Sequence, residues 1–371
     1  MREYLLVMLV ATAATYALTG VVRLTAIRFG IQAQIRERDV HSRPTPYLGG
    51  LAMLAGVALA FLLASMMPFL GRHEVVRRDS LGILGAAVVI CIVGMIDDVI
   101  DLPAIPKVAG QALAAGVAAL NGVRLYWISL PNQIIALDQW TSMLITVLFI
   151  FVCVNAINLV DGLDGLAAGV VAIGASAMFI YTYVLAREQN LVVATTASLV
   201  SVAITGVCLG FLPHNFYRAR IFMGDGGSML LGLLLACSSL SFTGQIDSGS
   251  LDPASGGLLT SWLPLILPFA IMALPLLDLV ASYIRRTRQG RWWFVADKQH
   301  LHHRLLGRGH SMVGAVLVMY LWTAVIAYGV IVLGLVRTPL AAVGLVGGLV
   351  VAVLATFRPT GRRTDAAPQD P

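Results

Sequence analysis

The feature that most constrains this chain is a succession of apolar runs, each long enough to cross a lipid bilayer and each closed by a short polar segment. A hydrocarbon core of about 30 Å takes about 20 helical residues, and only helices or closed barrels satisfy their backbone polar groups inside it. The runs centre on residues 4–22, 47–70, 80–96, 106–123, 140–157, 163–186, 191–212, 225–243, 258–284, 311–335 and 338–357. They predict an all-α polytopic membrane protein of about eleven transmembrane helices. Composition agrees, with 58% hydrophobic and 12% charged residues, roughly half the charge of an ordinary soluble domain. In the first run Arg2 is offset by Glu3 and the apolar stretch is too long for a cleaved leader, so it reads as a retained helix. The stretch Leu125–Leu137, broken by Pro131, is too short to span and predicts a hairpin or interfacial aromatic segment on the face opposite the chemistry. The tail 358–371, rich in Pro, Gly, Arg and Asp, reads as disordered.

Charge sets the orientation. With the N-terminus outside, 18 of the 25 Lys and Arg residues fall in inside segments, and the C-terminus is cytoplasmic. Arg72, Arg77 and Arg78 go against this bias. The net charge of +6 does not point to nucleic acid, because the basic residues flank apolar runs and form no stripe. Cys91, Cys153, Cys208 and Cys237 lie inside apolar runs without Cys-x-x-Cys spacing, which argues against a disulfide framework or a zinc site and reads as small core residues.

Polar side chains at the ends of such runs need a reason. Asn155, Asn158, Asp161 and Asp164 recur every third residue, a spacing that on a helical path keeps them on one side and lets them converge on one ligand. The two Asp-Gly pairs, taken alone, also read as loop punctuation. Asp97 and Asp98 close the third run. Each would cost about 2.5 to 3.5 kcal/mol at the bilayer centre, so they belong at the interface or in a wet cavity. Adjacent carboxylates call for a cation, and magnesium, hard and oxygen-seeking, is the natural one. Plain helix termination is the alternative, weakened because acids are unfavourable at a helix C-terminus.

Three further stretches fall on the same predicted face. His41-Ser-Arg43-Pro-Thr45-Pro46 ahead of Gly49-Gly50 makes a stiff basic loop suited to phosphate, or a connector with a helix-packing glycine pair. Gly224-Asp225-Gly226-Gly227-Ser228 opens the eighth run, where a capping Asp can also present a carboxylate to a metal beside free backbone N–H groups. Arg218 and Arg220 precede it. The loop 285–310 carries Arg285, Arg286, Arg288, Arg291 and Lys298, then His300, His302, His303 and Arg304. That loop suits phosphate binding or proton handling, with zinc a lesser reading because no Cys accompanies the histidines.

Together these residues resemble the polyprenyl-phosphate N-acetylhexosamine-1-phosphate transferases, the bacterial MraY and WecA group. Pro-Thr-Pro-x-x-Gly-Gly, the Asp-Asp pair, Asn-x-x-Asn-x-x-Asp-Gly-x-Asp-Gly-Leu, Gly-Asp-x-Gly-Ser and a His-rich loop occur in order from about His41 to Leu306. The His-Leu-His-His-Arg pattern at 300–304 is similar to the branch using UDP-N-acetylglucosamine, and the whole pattern to actinobacterial WecA-type enzymes that use decaprenyl phosphate. The resemblance implies one multispanning transferase domain over residues 1–357, in the plasma membrane, with its site on the cytoplasmic face. It implies transfer of N-acetylglucosamine-1-phosphate to a polyprenyl phosphate with release of UMP, the first lipid-linked step of a cell-wall polysaccharide. The cofactor would be Mg2+, with Mn2+ as a substitute; a homodimer is compatible and nucleic acid is not a partner. Asp225 would hold the metal with Asn155 in support, and Asp97 or Asp98 would deprotonate or orient the lipid phosphate or share the metal. Asn158, Asp161 and Asp164 would hold the nucleotide, and His302, His303 and Arg304 the pyrophosphate and sugar. Arg43, Thr45, Lys107 and His300 complete the substrate-binding candidates. The alternatives are the phospho-N-acetylmuramoyl-pentapeptide transferase branch and, from another class, a transporter or lipid flippase. Transport is disfavoured because the chain shows no paired halves.

Overall fold

The computed structural model describes the backbone of residues 1–31, 45–130, 133–188, 194–243, 301–336 and 338–359, with isolated residues between 266 and 288. Its helices are α1 (Arg2–Arg28), α2 (Gly49–Ser65), α3 (Glu74–Ile100), α4 (Ala104–Leu120), α5 (Gln139–Val160), α6 (Leu166–Glu188), α7 (Ala194–Asn215), α8 (Gly224–Thr243), α9 (Leu301–Gly307), α10 (Met312–Val336) and α11 (Pro339–Phe357). Among the described residues, eight of these are long and apolar enough to cross a membrane, while α2 and α4 are apolar helices of 17 residues each. The chain is a multi-pass helical membrane protein. The span expected at 258–284 lies almost wholly outside the described residues, as does the tail from 360.

Helix ends overrun the apolar runs that announce them. α3 begins at Glu74 and ends at Ile100, so it carries Asp97 and Asp98 in its last turn. α1 continues to Arg28, and the Arg23 Nε donates to the Arg220 carbonyl at 3.2 Å. In α1 the basic Arg28 of the last turn complements the helix dipole, whereas the last turn of α3 is acidic and is held by partners on other elements.

The centre of the bundle is α8, packed by α2, α3, α5 and α7. The apolar window of α8 is 94% buried, against 11% for α11 at the periphery. α1 and α6 flank α7, and α10 joins the bundle through α6 and carries α11 outside it. Lipid gives no hydrophobic drive between such helices, so close backbone packing at small residues does the holding. A Cβ on Gly206 of α7 would lie 2.7 Å from the Met8 carbonyl oxygen of α1, and one on Gly232 of α8 would lie 2.6 Å from the Val154 Cα of α5.

The segment after α4 forms a hairpin, β1 (Trp127–Leu130) against β2 (Gln133–Ala136), antiparallel with Trp127 opposite Ala136. It is fastened to the start of α5, where Ser142 Oγ donates to the Leu125 carbonyl at 2.5 Å and Leu125 N–H donates to Thr146 Oγ1 at 3.0 Å. Asp138 caps α5 by accepting from the Trp140 and Thr141 N–H groups. The 22 residues of α5 run for about 33 Å at 1.5 Å per residue, which separates this hairpin from Asn155 and Asn158 near the helix's other end.

Candidate active site

The site forms where α8 begins. Gly224 has φ +68°, a left-handed conformation that turns the chain into the helix. The loop 46–50 is laid against this start by backbone bonds: Phe222 N–H to the Pro46 carbonyl at 2.9 Å, Gly49 N–H to Phe222 at 3.0 Å and Gly50 N–H to Met223 at 3.0 Å. A Cβ on Gly50 would lie 2.6 Å from the Gly226 carbonyl carbon, and a Cβ on Gly94 of α3 would lie 2.6 Å from that of Asp225. Both glycines therefore serve helix approach, and the Gly49-Gly50 pair is a packing pair. Thr45 is buried beside it, while Arg43 lies outside the described residues.

That approach brings α3 onto the free N–H groups at the head of α8. Asp98 accepts from Asp225 N–H through Oδ1 at 2.8 Å and from Gly226 N–H through Oδ2 at 3.3 Å. It caps a helix other than its own, where a carboxylate complements the dipole. Asp97, its neighbour, accepts from the Leu102 N–H at 2.8 Å and from Lys107 Nζ at 2.7 Å. The same ammonium donates to Asp225 Oδ2 at 2.5 Å. Lys107, in the first turn of α4, thus bridges two carboxylates from two other helices. The Asp97 side chain is 8% exposed and that of Asp225 is 30% exposed, so Asp225 is the more open to a ligand.

The four polar residues from Asn155 to Asp164 take different partners. Asn158 Nδ2 donates to Asp225 Oδ1 and to Ser228 Oγ, each at 2.9 Å. Asn155 faces α4, where its Nδ2 donates to Gln111 Oε1 at 2.7 Å. Asp161 follows the last residue of α5, and burial, then the nearby charges of Asp225, Asp98 and Asp164, push its carboxyl up to about 8. Asp164 Oδ2 accepts from the Ala219 N–H at 2.9 Å, bracing the α7–α8 connector. The three-residue spacing expects one shared face. Helical geometry ends at Val160, and Gly165 at φ +75° turns the chain away, so the periodicity stops ordering side chains halfway through the motif.

The histidine loop is only partly in view. His300 lies outside the described residues; His302 and His303 lie on α9, and nothing is described of their side chains. Arg304 on the same helix is exposed. Ser228, the last residue of the Gly-Asp-x-Gly-Ser motif, accepts from Asn158, and two residues that sequence patterning passed over are also placed: Gln111 pairs with Asn155, and Asn215 accepts the Gly165 N–H at 3.0 Å while donating to the Ile221 carbonyl at 3.0 Å. Gln111 lies one turn after Lys107 in an otherwise apolar helix, which is the signal that could have found it.

The donor set fits a hard cation. Among the described residues the Lys107 ammonium draws Asp97 and Asp225 together, with Asp98 beside them and the Asp161 carboxyl, raised by burial, near enough to be raised further by the charges of Asp225 and Asp98. Among the described residues no three His, Cys, Asp or Glu side chains make a closed metal-holding group. Magnesium commonly takes one or two protein carboxylates and completes its shell with water and substrate phosphate oxygens, so an open acidic cluster is what it requires.

A cluster of carboxylates around a lysine, set at the ends of membrane helices, defines a class: polytopic membrane proteins with a site for ions or charged substrates at the helix ends. Comparison with known proteins narrows the class. The family model described as glycosyl transferase family 4 matches residues 80–243. The decaprenyl-phosphate N-acetylglucosaminephosphotransferase of Mycobacterium tuberculosis is 44% identical over 98% of this chain and 91% of its own length. The enzyme of that name in Mycolicibacterium smegmatis is 44% identical over 100% and 92% respectively. A phospho-N-acetylmuramoyl-pentapeptide-transferase of Desulforudis audaxviator is 29% identical over 81% of the chain and 87% of its own length. The chain belongs to glycosyl transferase family 4, in the group of polyprenyl-phosphate N-acetylhexosamine-1-phosphate transferases.

Proposed function

We propose that this enzyme transfers N-acetylglucosamine-1-phosphate from UDP-N-acetylglucosamine to a polyprenyl phosphate, decaprenyl phosphate foremost, leaving UMP and polyprenyl-pyrophosphoryl-N-acetylglucosamine. The carrying observation is the bridge from Asp97 through Lys107 to Asp225 at the head of α8, in a chain alike over nearly its full length to enzymes named for this transfer.

A lipid phosphate oxygen attacks the β-phosphorus of the donor, the bond from that phosphorus to the bridging oxygen breaks, and UMP leaves with the electron pair. Such a transfer needs alignment and charge neutralisation more than covalent help. Asp225 would hold the metal, with Asn158 the amide that orients its carboxylate. Asn155 acts one step behind, through Gln111 and the packing of α4 on α5. A divalent cation held there would supply charge neutralisation for the transfer. Asp97 is the better placed to take a proton from the lipid phosphate, because its Oδ2 is held by the Lys107 ammonium, which an incoming phosphate can draw off, whereas both oxygens of Asp98 are held by backbone N–H groups. Lys107 faces the incoming phosphates and is exchanged from its carboxylates as substrate binds. Asp161 and Asp164 shape the donor side, and Arg43, Thr45, His300, His302, His303 and Arg304 are assigned to the pyrophosphate and sugar on the resemblance of their motifs.

The site is read as cytoplasmic, on the Lys and Arg bias and on the chemistry of the donor, a cytoplasmic nucleotide sugar. The test is UMP release by the purified enzyme, requiring UDP-N-acetylglucosamine, polyprenyl phosphate and Mg2+ together. UMP formed equally well without the lipid, or faster use of the muramoyl-pentapeptide donor, would overturn the proposal.

A further inference from the structure

Tyr320 lies on α10, outside the region 80–243 that the family model matches, yet it reaches the turn after Asp164. Its hydroxyl donates to the Gly165 carbonyl at 2.5 Å. Its ring lies over Gly169, where an added Cβ would fall among the ring carbons and the hydroxyl oxygen. Gly165 is held at both ends of its peptide geometry, its N–H by Asn215 of α7 and its carbonyl by two donors, the Gly169 N–H at 3.0 Å and, from α10, the Tyr320 hydroxyl. Its φ of +75° makes it the hinge between the Asp161–Asp164 segment and α6. The register of α10 on α6 is pinned a second time, two turns on, by Ser176 Oγ and the Tyr328 hydroxyl at 2.7 Å. The reach of Tyr320 to Gly165 is thus set by two polar contacts.

We propose that Tyr320 is a positioning residue: through the Gly165 carbonyl it fixes the turn that presents Asp161 to the nucleotide sugar, so α10 completes the donor side of the site. This rests on the reading that the Asp161–Asp164 segment faces the donor. Tyr320 touches no reacting atom, and its effect is on donor affinity. Losing one neutral hydrogen bond corresponds to about a tenfold change in an equilibrium.

The test is steady-state kinetics of the purified full-length enzyme with both substrates varied. Tyr320→Phe is expected to raise KM for UDP-N-acetylglucosamine about tenfold, with kcat and the KM for polyprenyl phosphate within about twofold, the split that distinguishes a loosened turn from general damage. Gly169→Ala, whose new methyl displaces the ring, should give the same split and serves if Tyr320→Phe is not recovered folded. An unchanged donor KM, or donor and lipid KM rising together, overturns the inference. Asp161→Ala, which removes the polar group in either protonation state, is measured beside them. If it alone raises donor KM, only the role of Tyr320 falls; if it too leaves donor KM unchanged, the donor-side reading falls and the inference with it.

Discussion

At the scale of single residues, the two adjacent carboxylates of α3 separate into different duties. Asp98 has its oxygens on the N–H groups of Asp225 and Gly226, whereas Asp97 answers to a side-chain ammonium that a substrate can exchange. An Asn keeps one acceptor oxygen for the Asp225 N–H and loses only the longer contact, to the Gly226 N–H at 3.3 Å. Asp98→Asn should therefore keep turnover within about tenfold of wild type, while Asp97→Asn should lose a factor of about 100 or more. Equal losses in the two purified variants would remove the distinction. Asp225→Asn should insert and fold, because its backbone N–H still meets Asp98, but lose magnesium-dependent turnover by at least about 100-fold. Near-normal turnover would take Asp225 out of the site. The presence of these acids was legible in the sequence because bare carboxylates at helix ends are costly without a partner. Their partners were not. Gln111, Asn215 and Tyr320 are single polar residues in apolar or mixed surroundings, and no spacing rule ties them to residues tens of positions away.

At the scale of elements, the geometry of the site depends on how closely α2 and α3 approach α8. Gly94 is the clearest lever, since a methyl there meets backbone atoms of Asp225 and Gly226 that cannot rotate away. Gly94→Ala should cost about 1 to 3 kcal/mol and displace Asp98 from its two N–H partners. Thermal unfolding in detergent should show a clear drop in Tm together with lost turnover. Gly116→Ala on α4, where an added Cβ meets nothing within 4 Å, should change neither. Equal behaviour of the two would mean that the α3–α8 contact has slack. The elements themselves were largely legible, because a bilayer admits so few backbone solutions that long apolar runs identify helices. Their ends were less so. Hydropathy marks the lipid edge, while capping and tertiary contacts decide the last turn, as at Asp97 and Asp98 inside α3.

At the scale of the whole molecule, the described helix ends sort into two groups. One holds Pro46 to Gly50, Asp97 to Lys107, Asn158 to Gly165 and Asn215 to Ser228, joined by the bonds of the site. The other holds the Leu125–Leu137 segment and Glu3, whose carboxylate accepts from the Phe69 and Leu70 N–H groups. Gly307 precedes the start of α10, which Tyr320 ties to Gly165 of the first group; if that group is cytoplasmic, Gly307→Cys, in a background lacking the four buried native cysteines, should resist an impermeant thiol reagent until cells are opened. Trp140→Cys, at a position 77% exposed beside the hairpin, should react in intact cells. The reverse pattern would invert the orientation. The central claim is that a sugar phosphate, and not a sugar alone, moves to the lipid. Donor carrying radioactive phosphorus only at the β position tests it directly. With polyprenyl phosphate and Mg2+ present, the account predicts label in the lipid fraction in step with unlabelled UMP. Label remaining in the nucleotide as UDP while the lipid gains sugar would contradict it.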